Sequence, residues 1–163
     1  MKNQIPRLEQ FDYTALEAVS LDAPSGSELS FQVEAIPARI TQRVLVGLFH
    51  EKLKRGIAVA FFPATGEVCD LMSDGGVIGY LSNVPIIPGD PVACELKMSR
   101  FGKNIVCSVR IGGELFLYPA FVAAEEGTAF TAAVGQEEDG SNAMIGWFGA
   151  HIVVNGQSAP VAA

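Results

Sequence analysis

Short runs in which apolar and polar residues alternate recur along this chain, and no window of about twelve residues keeps a 3.6-residue apolar period. In Glu28–Ala35, ELSFQVEA, one side carries Leu29, Phe31, Val33 and Ala35 and the other Glu28, Ser30, Gln32 and Glu34. Such a segment is a strand with one wet face. The same reading gives strands over Arg43–His50, Gly56–Phe62, Glu67–Met72, Val77–Ser82, Val92–Met98, Asn104–Ile111, Glu114–Tyr118, Ala129–Val134 and Ala143–Val154, the last broken near Gly149. Turn signals stand between them: PATGE, SDGG, IPGD, IGGE, EEGT and EEDGSN. FHEKLKRG fits a single helical turn or a charged hairpin tip. Closely spaced strands with no helix between them predict an all-β, two-sheet antiparallel sandwich. The 163 residues suit one domain with a real core, and the tail NGQSAPVAA is expected to fray.

The clearest unit is the hairpin from Val92 to Ile111. Val92, Cys94, Leu96 and Met98 share one face, and Ile105, Cys107, Val109 and Ile111 form the matching set. A four-residue turn, Arg100 to Lys103, would pair Ser99 with Asn104, with Gly102 supplying a positive φ. In that register Cys94 faces Val109, Cys107 faces Leu96, and the sulfurs are diagonal neighbours unsuited to a disulfide. Three cysteines make no disulfide framework, so buried free thiols are expected.

PGDPVACELKMSRFGKNIVCSVRIGGEL resembles the central hairpin of concanavalin A-like sandwiches, the group that includes laminin-G-like, SPRY and legume-lectin domains. Upstream, ELSFQVEAI and RVLVGLFHEKLKRGIAVAFFPATGEV resemble the same group, and downstream LYPAFVA resembles a segment of SPRY domains. The resemblance covers Glu28 to Gly135. Gly113 and Leu117 stand closer together than their SPRY counterparts, so the likeness is to the architecture. It implies a concanavalin A-like jelly roll and a non-catalytic module that binds a glycan or a protein, although some members are glycosidases.

Lys and Arg number 11 against 18 Asp and Glu, a net charge of −7, which argues against nucleic acid as a partner. Arg39, Arg43, Lys52, Lys54 and Arg55 cluster, as do Glu125, Glu126, Glu137, Glu138 and Asp139. No apolar run approaches the ~20 residues that span a bilayer. MKNQIPRLEQFDY lacks the apolar stretch of a secretory leader, so a cytoplasmic location is expected, or a secreted one if a leader has been removed.

No complete catalytic motif is present, and the chain is read as not an enzyme. Glu137-Glu138-Asp139 begins a glucanase-like carboxylate pattern, but Ser141 and Asn142 stand where the second Glu should fall. Glu67 and Asp70 would lie on opposite faces of one strand, and Asp74 is a turn residue. No cofactor is required by any motif. Calcium would find oxygen ligands in Glu138, Asp139 and Asn142, a set that also reads as an ordinary hairpin loop. His50 and His151 are the only histidines, and no zinc-ligand spacing occurs. Ligand contact is assigned to Trp147 and Tyr80, and to Phe101 between Arg100 and Lys103, where an exposed ring between two cations implies a partner. A homo-oligomeric assembly subunit is the alternative function.

Overall fold

The computed structural model describes residues 6–20, 26–72, 76–122, 129–138, 140 and 144–161. A 3-10 turn at Leu8–Gln10 leads into β1 (Phe11–Ser20), followed by β2 (Glu28–Ile36), β3 (Val44–His50), β4 (Arg55–Phe61), β5 (Glu67–Asp70) and β6 (Val77–Tyr80). Then come β7 (Val92–Phe101), β8 (Asn104–Ile111), β9 (Glu114–Val122), β10 (Ala129–Glu137), β11 (Gly146–Val154) and β12 (Gln157–Pro160). One six-stranded sheet runs β1-β10-β3-β4-β5-β6 and the other β12-β11-β2-β7-β8-β9, with antiparallel pairing throughout. β3 lies against β7, and β4 and β6 against β9, which makes the two sheets a sandwich. The architecture is the all-β, two-sheet antiparallel sandwich that the sequence pattern predicts.

Alternation explains the main core. Leu29, Phe31, Val33 and Ala35 of β2 meet Val44, Val46 and Leu48 of β3 and Ile57, Val59 and Phe61 of β4 between the sheets, with Leu96, Met98, Val109 and Ile111 beside them. One polar pair crosses this core. Asp70 is buried, and its carboxylate accepts a hydrogen bond from the Tyr118 hydroxyl at 2.6 Å. The same hydroxyl accepts from the Ala58 amide at 3.2 Å, so a tyrosine of one sheet ties two strands of the other.

Three expectations change. The β7–β8 hairpin closes on two residues, since Phe101 pairs with Asn104 across Gly102 and Lys103. Gly102 takes the positive φ of 63° that so tight a turn needs. Cys94 therefore faces Ile111 and Cys107 faces Met98, and all three thiols are free and buried. Phe101 is the last residue of β7 and not part of a loop.

The second is an addition: β1 lies outside the strands that alternation predicts, because it carries no clean alternation. Its register slips between Ala15 and Glu17, and that bulge turns the face of the strand. Phe11 and Tyr13 consequently belong to one cluster, and Leu16 and Val19 to the other. The third is the tail, where Gln157–Pro160 pairs with β11 as an edge strand. The break foreseen near Gly149 is present as a register shift between Phe148 and His151, with Gly149 at φ 65°. FHEKLKRG is the β3–β4 hairpin tip.

Candidate functional site

The outer face of the first sheet departs from a simple wet surface. Leu45, Phe49, Ala58, Ala60 and Ala133 are fully or almost fully buried there, in a second cluster with Leu8, Phe11 and Leu71. Small residues make this face shallow. A Cβ on Gly47 would meet the Phe49 ring at 2.5 Å, so that ring lies over the glycine. Tyr13 meets Phe49 edge-on, with ring centroids 5.5 Å apart, and its hydroxyl donates to Glu51. Burial together with that carboxylate pushes the Tyr13 hydroxyl up to about 12.

At the end of this face where β3 begins, strand register lines up one row of residues, four from strands and two, Arg43 and Phe62, flanking β3 and β4. Phe11 stands opposite Glu137, Glu137 beside Arg43, Arg43 beside Phe62, Phe62 beside Glu67, and Glu67 opposite Tyr80. Arg43 organises the row. Its Nη1 donates to both Glu137 carboxylate oxygens, at 3.0 and 3.3 Å, and its guanidinium carbon sits 4.7 Å from the centre of the Phe62 ring. Its Nη2 lies 3.9 Å from Glu67, too far for a hydrogen bond, and its buried Nε has no partner among the described residues. Gln42 braces the row by donating to the Glu137 carbonyl at 3.0 Å. Cys69 donates to Glu67 at 3.3 Å; burial first, then that carboxylate, raises its thiol to about 12.

The row is covered at one end and open at the other. Phe11 is buried, Arg43, Glu67 and Glu137 are partly covered, and Tyr80 is 61% exposed. Exposed Val77 lies beside Tyr80 on the same short strand, opposite Cys69. From Glu137 to Tyr80, two aromatic rings, an arginine with unused donors and two carboxylates thus share one strip. Such a strip can stack a flat apolar surface while exchanging hydrogen bonds with neighbouring hydroxyls.

The other residues singled out in the sequence do not converge on it. Arg100, Phe101 and Lys103 form the β7–β8 tip, where the Phe101 ring is 58% exposed and the Arg100 Nε donates to the Gly102 carbonyl at 3.0 Å. Trp147 stands opposite Ala35, at the other end of β2 from the pairing of Glu28 with Ser99. Seven residues of strand, roughly 23 Å, separate those ends. The Trp147 ring is half-buried against the core, and its Nε1 is buried with no hydrogen-bond partner among the described residues. Only Tyr80 belongs to the row. Arg43, Phe62, Glu67 and Glu137 were not assigned a shared role from sequence, because their adjacency depends on sheet order and register.

Of the calcium set, Asp139 and Asn142 lie outside the described residues, as does Asp74. Glu138 is exposed, and a hydrogen bond with Asp12, followed by the negative charge of that residue, raises its carboxyl above the usual range. A hydrogen-bonded carboxyl pair is closer than the ~5 Å or more that glycoside hydrolysis requires. Glu137 is engaged by Arg43, and Glu67 and Asp70 do face opposite ways. Among the described residues no group of three or more metal-ligating side chains gathers, and no helix is long and apolar enough to cross a membrane.

No protein-family model and no curated protein matches the chain. Among solved structures it is similar to a tetrameric galectin from the ball sponge Cinachyrella sp., at 9% identity over 83% of this chain and 96% of that one, with a TM-score of 0.41. Sheep galectin-11 in complex with glycerol is similar at 13% identity over 85% and 96%, with a TM-score of 0.39. Galectin LEC-6 of Caenorhabditis elegans follows at 13% identity over 82% and 99%, with a TM-score of 0.31. At such scores the strand order, and not the likeness, defines the fold.

Proposed function

We propose that the chain is a non-catalytic recognition module that binds a glycan on the outer face of its first sheet. The observation that carries this is the strip running from Glu137 through Arg43, Phe62 and Glu67 to Tyr80. A pyranose ring has one apolar face and a rim of hydroxyls. Tyr80 would stack on the face, Arg43 would donate to ring or hydroxyl oxygens, and Glu67 would accept from a neighbouring hydroxyl. Arginine suits this task because its planar fork can serve Glu137 and a ligand together. Calcium, if it binds, would take Glu138 as a ligand, with Asp12 as an added carboxylate.

A glycan array probed with the native chain, once with calcium and once with chelator, tests the reading. Reproducible binding that Tyr80→Ala weakens supports it, and sensitivity to chelator adds the Glu138 loop. A blank array under both conditions contradicts it. Phe101 at the hairpin tip is the rival site; loss of binding in Phe101→Ala with Tyr80→Ala unaffected would move the site there.

A further inference from the structure

An exposed sheet edge is a row of unpaired amide and carbonyl groups, and proteins ordinarily blunt it with charge, bulges or brevity. Three of the four edges here are blunted. β6 and β12 are four residues long, and β1 carries exposed Asp12 and Glu17 beside its bulge. β9 is different. It runs nine residues, ELFLYPAFV, and its one charge, Glu114, is engaged by the Ser82 amide at 2.7 Å and the Ser82 hydroxyl at 2.8 Å. From Leu115 to Val122 the edge has no charged side chain. Leu117 is 86% exposed, and Leu115, Val122 and the neighbouring Val106 are exposed as well. Pro119 is confined to the end where the β8–β9 register slips, which leaves Glu114–Tyr118 regular.

We infer that β9 is a self-association edge, on which a second copy of this chain docks by antiparallel, two-fold pairing of β9 with β9. The sequence of the strand is its own complement. Pairing centred on Phe116 sets Leu115 opposite Leu117 of the partner subunit and the reverse, so four leucines close over one another on the outer face. Phe116 and Tyr118 stay in the core they already occupy. The charges agree with this register. Across the second sheet, Glu95, Arg110 and Leu115 form one row, and Lys97, Ser108 and Leu117 the next. Two-fold pairing joins the first row to the second through leucines, and no like charges meet across the junction. For a chain of net charge −7, this edge, whose one charge is held by Ser82, is where a second copy approaches with little repulsion. A two-fold contact of this kind closes on itself, and the two sheets become one.

Sedimentation velocity on the native chain across a dilution series is the test, with Leu117→Lys, Leu117→Ser and Thr14→Lys as variants. The native chain should show concentration-dependent dimers, and Leu117→Lys and Leu117→Ser should weaken them by at least about tenfold. Thr14→Lys, on the β1 edge, should dimerise as the native chain does. The Leu117 side chain is almost wholly exposed, so both variants should keep the native circular dichroism spectrum; if Leu117→Lys does not fold, Leu117→Ser supplies the reading. A native chain that stays monomeric throughout overturns the inference, as do dimers that Leu117→Lys and Leu117→Ser leave intact or Thr14→Lys abolishes. The glycan reading is unaffected by any of these results, because Tyr80 and Arg43 lie on the other sheet.

Discussion

Asp70 and Tyr118 show how one polar contact fixes the spacing of two sheets. A carboxylate buried between sheets needs donors, and Tyr118 supplies one at 2.6 Å from the opposing sheet. The hydroxyl is raised well above its ordinary pKa, first by burial and then by the Asp70 charge, so it stays a donor at any working pH. Tyr118→Phe should lower stability by about 2 kcal/mol in urea unfolding with the m-value unchanged. A loss indistinguishable from zero would mean that the bond is not formed in solution. The cysteines lend themselves to a second residue-scale measurement. Burial lifts the Cys69 and Cys107 thiols to about 12 and Cys94 higher still, so little reactive thiolate exists near neutral pH. Thiol titration of the native protein should be slow, and the same titration in denaturant should count three fast groups.

At the scale of elements, the strands with one wet face were legible in the sequence. β2, β7 and β8 alternate cleanly because only one of their faces is covered, and their limits follow from turns such as IPGD and IGGE. β3 and β4 were legible for another reason: their near-continuous apolar runs are bounded by the charged tip EKLKR. What alternation could not show is that their outer face is covered too, by Leu8 and Phe11. β1 escaped because its bulge reverses the face within one strand. The hairpin register escaped because two-residue and four-residue turns keep the same inward set and differ only in which residues are opposed. At Gly135 the backbone of β1 lies close against β10. A Cβ there would run into the Asp12 carbonyl oxygen and the Tyr13 Cα. Gly135→Ala should therefore loosen β1, with faster amide exchange over Phe11–Ala15 and a stability loss of about 1–3 kcal/mol. Unchanged exchange in β1 would show that the strand can shift without cost.

For the whole molecule, the sequence indicated an acidic sandwich with binding on a sheet face or loop, and the proposed site is the outer face of the first sheet. Tyr80 was visible as an aromatic with two roles open. Its partners were not, since Arg43 and Glu137 are neighbours only because β10 is inserted between β1 and β3. The strip and the β9 edge lie on different sheets, so one copy can present a ligand face while its edge is paired. The measurement that bears most directly on function is a calorimetric titration with the strongest array glycan. It should be run on the native chain, Tyr80→Ala and Phe101→Ala, each first shown to be folded. Native binding, a roughly three- to tenfold loss in Tyr80→Ala and no change in Phe101→Ala are the predicted results. Equal affinity in the native chain and Tyr80→Ala would contradict a glycan site on the outer face of the first sheet.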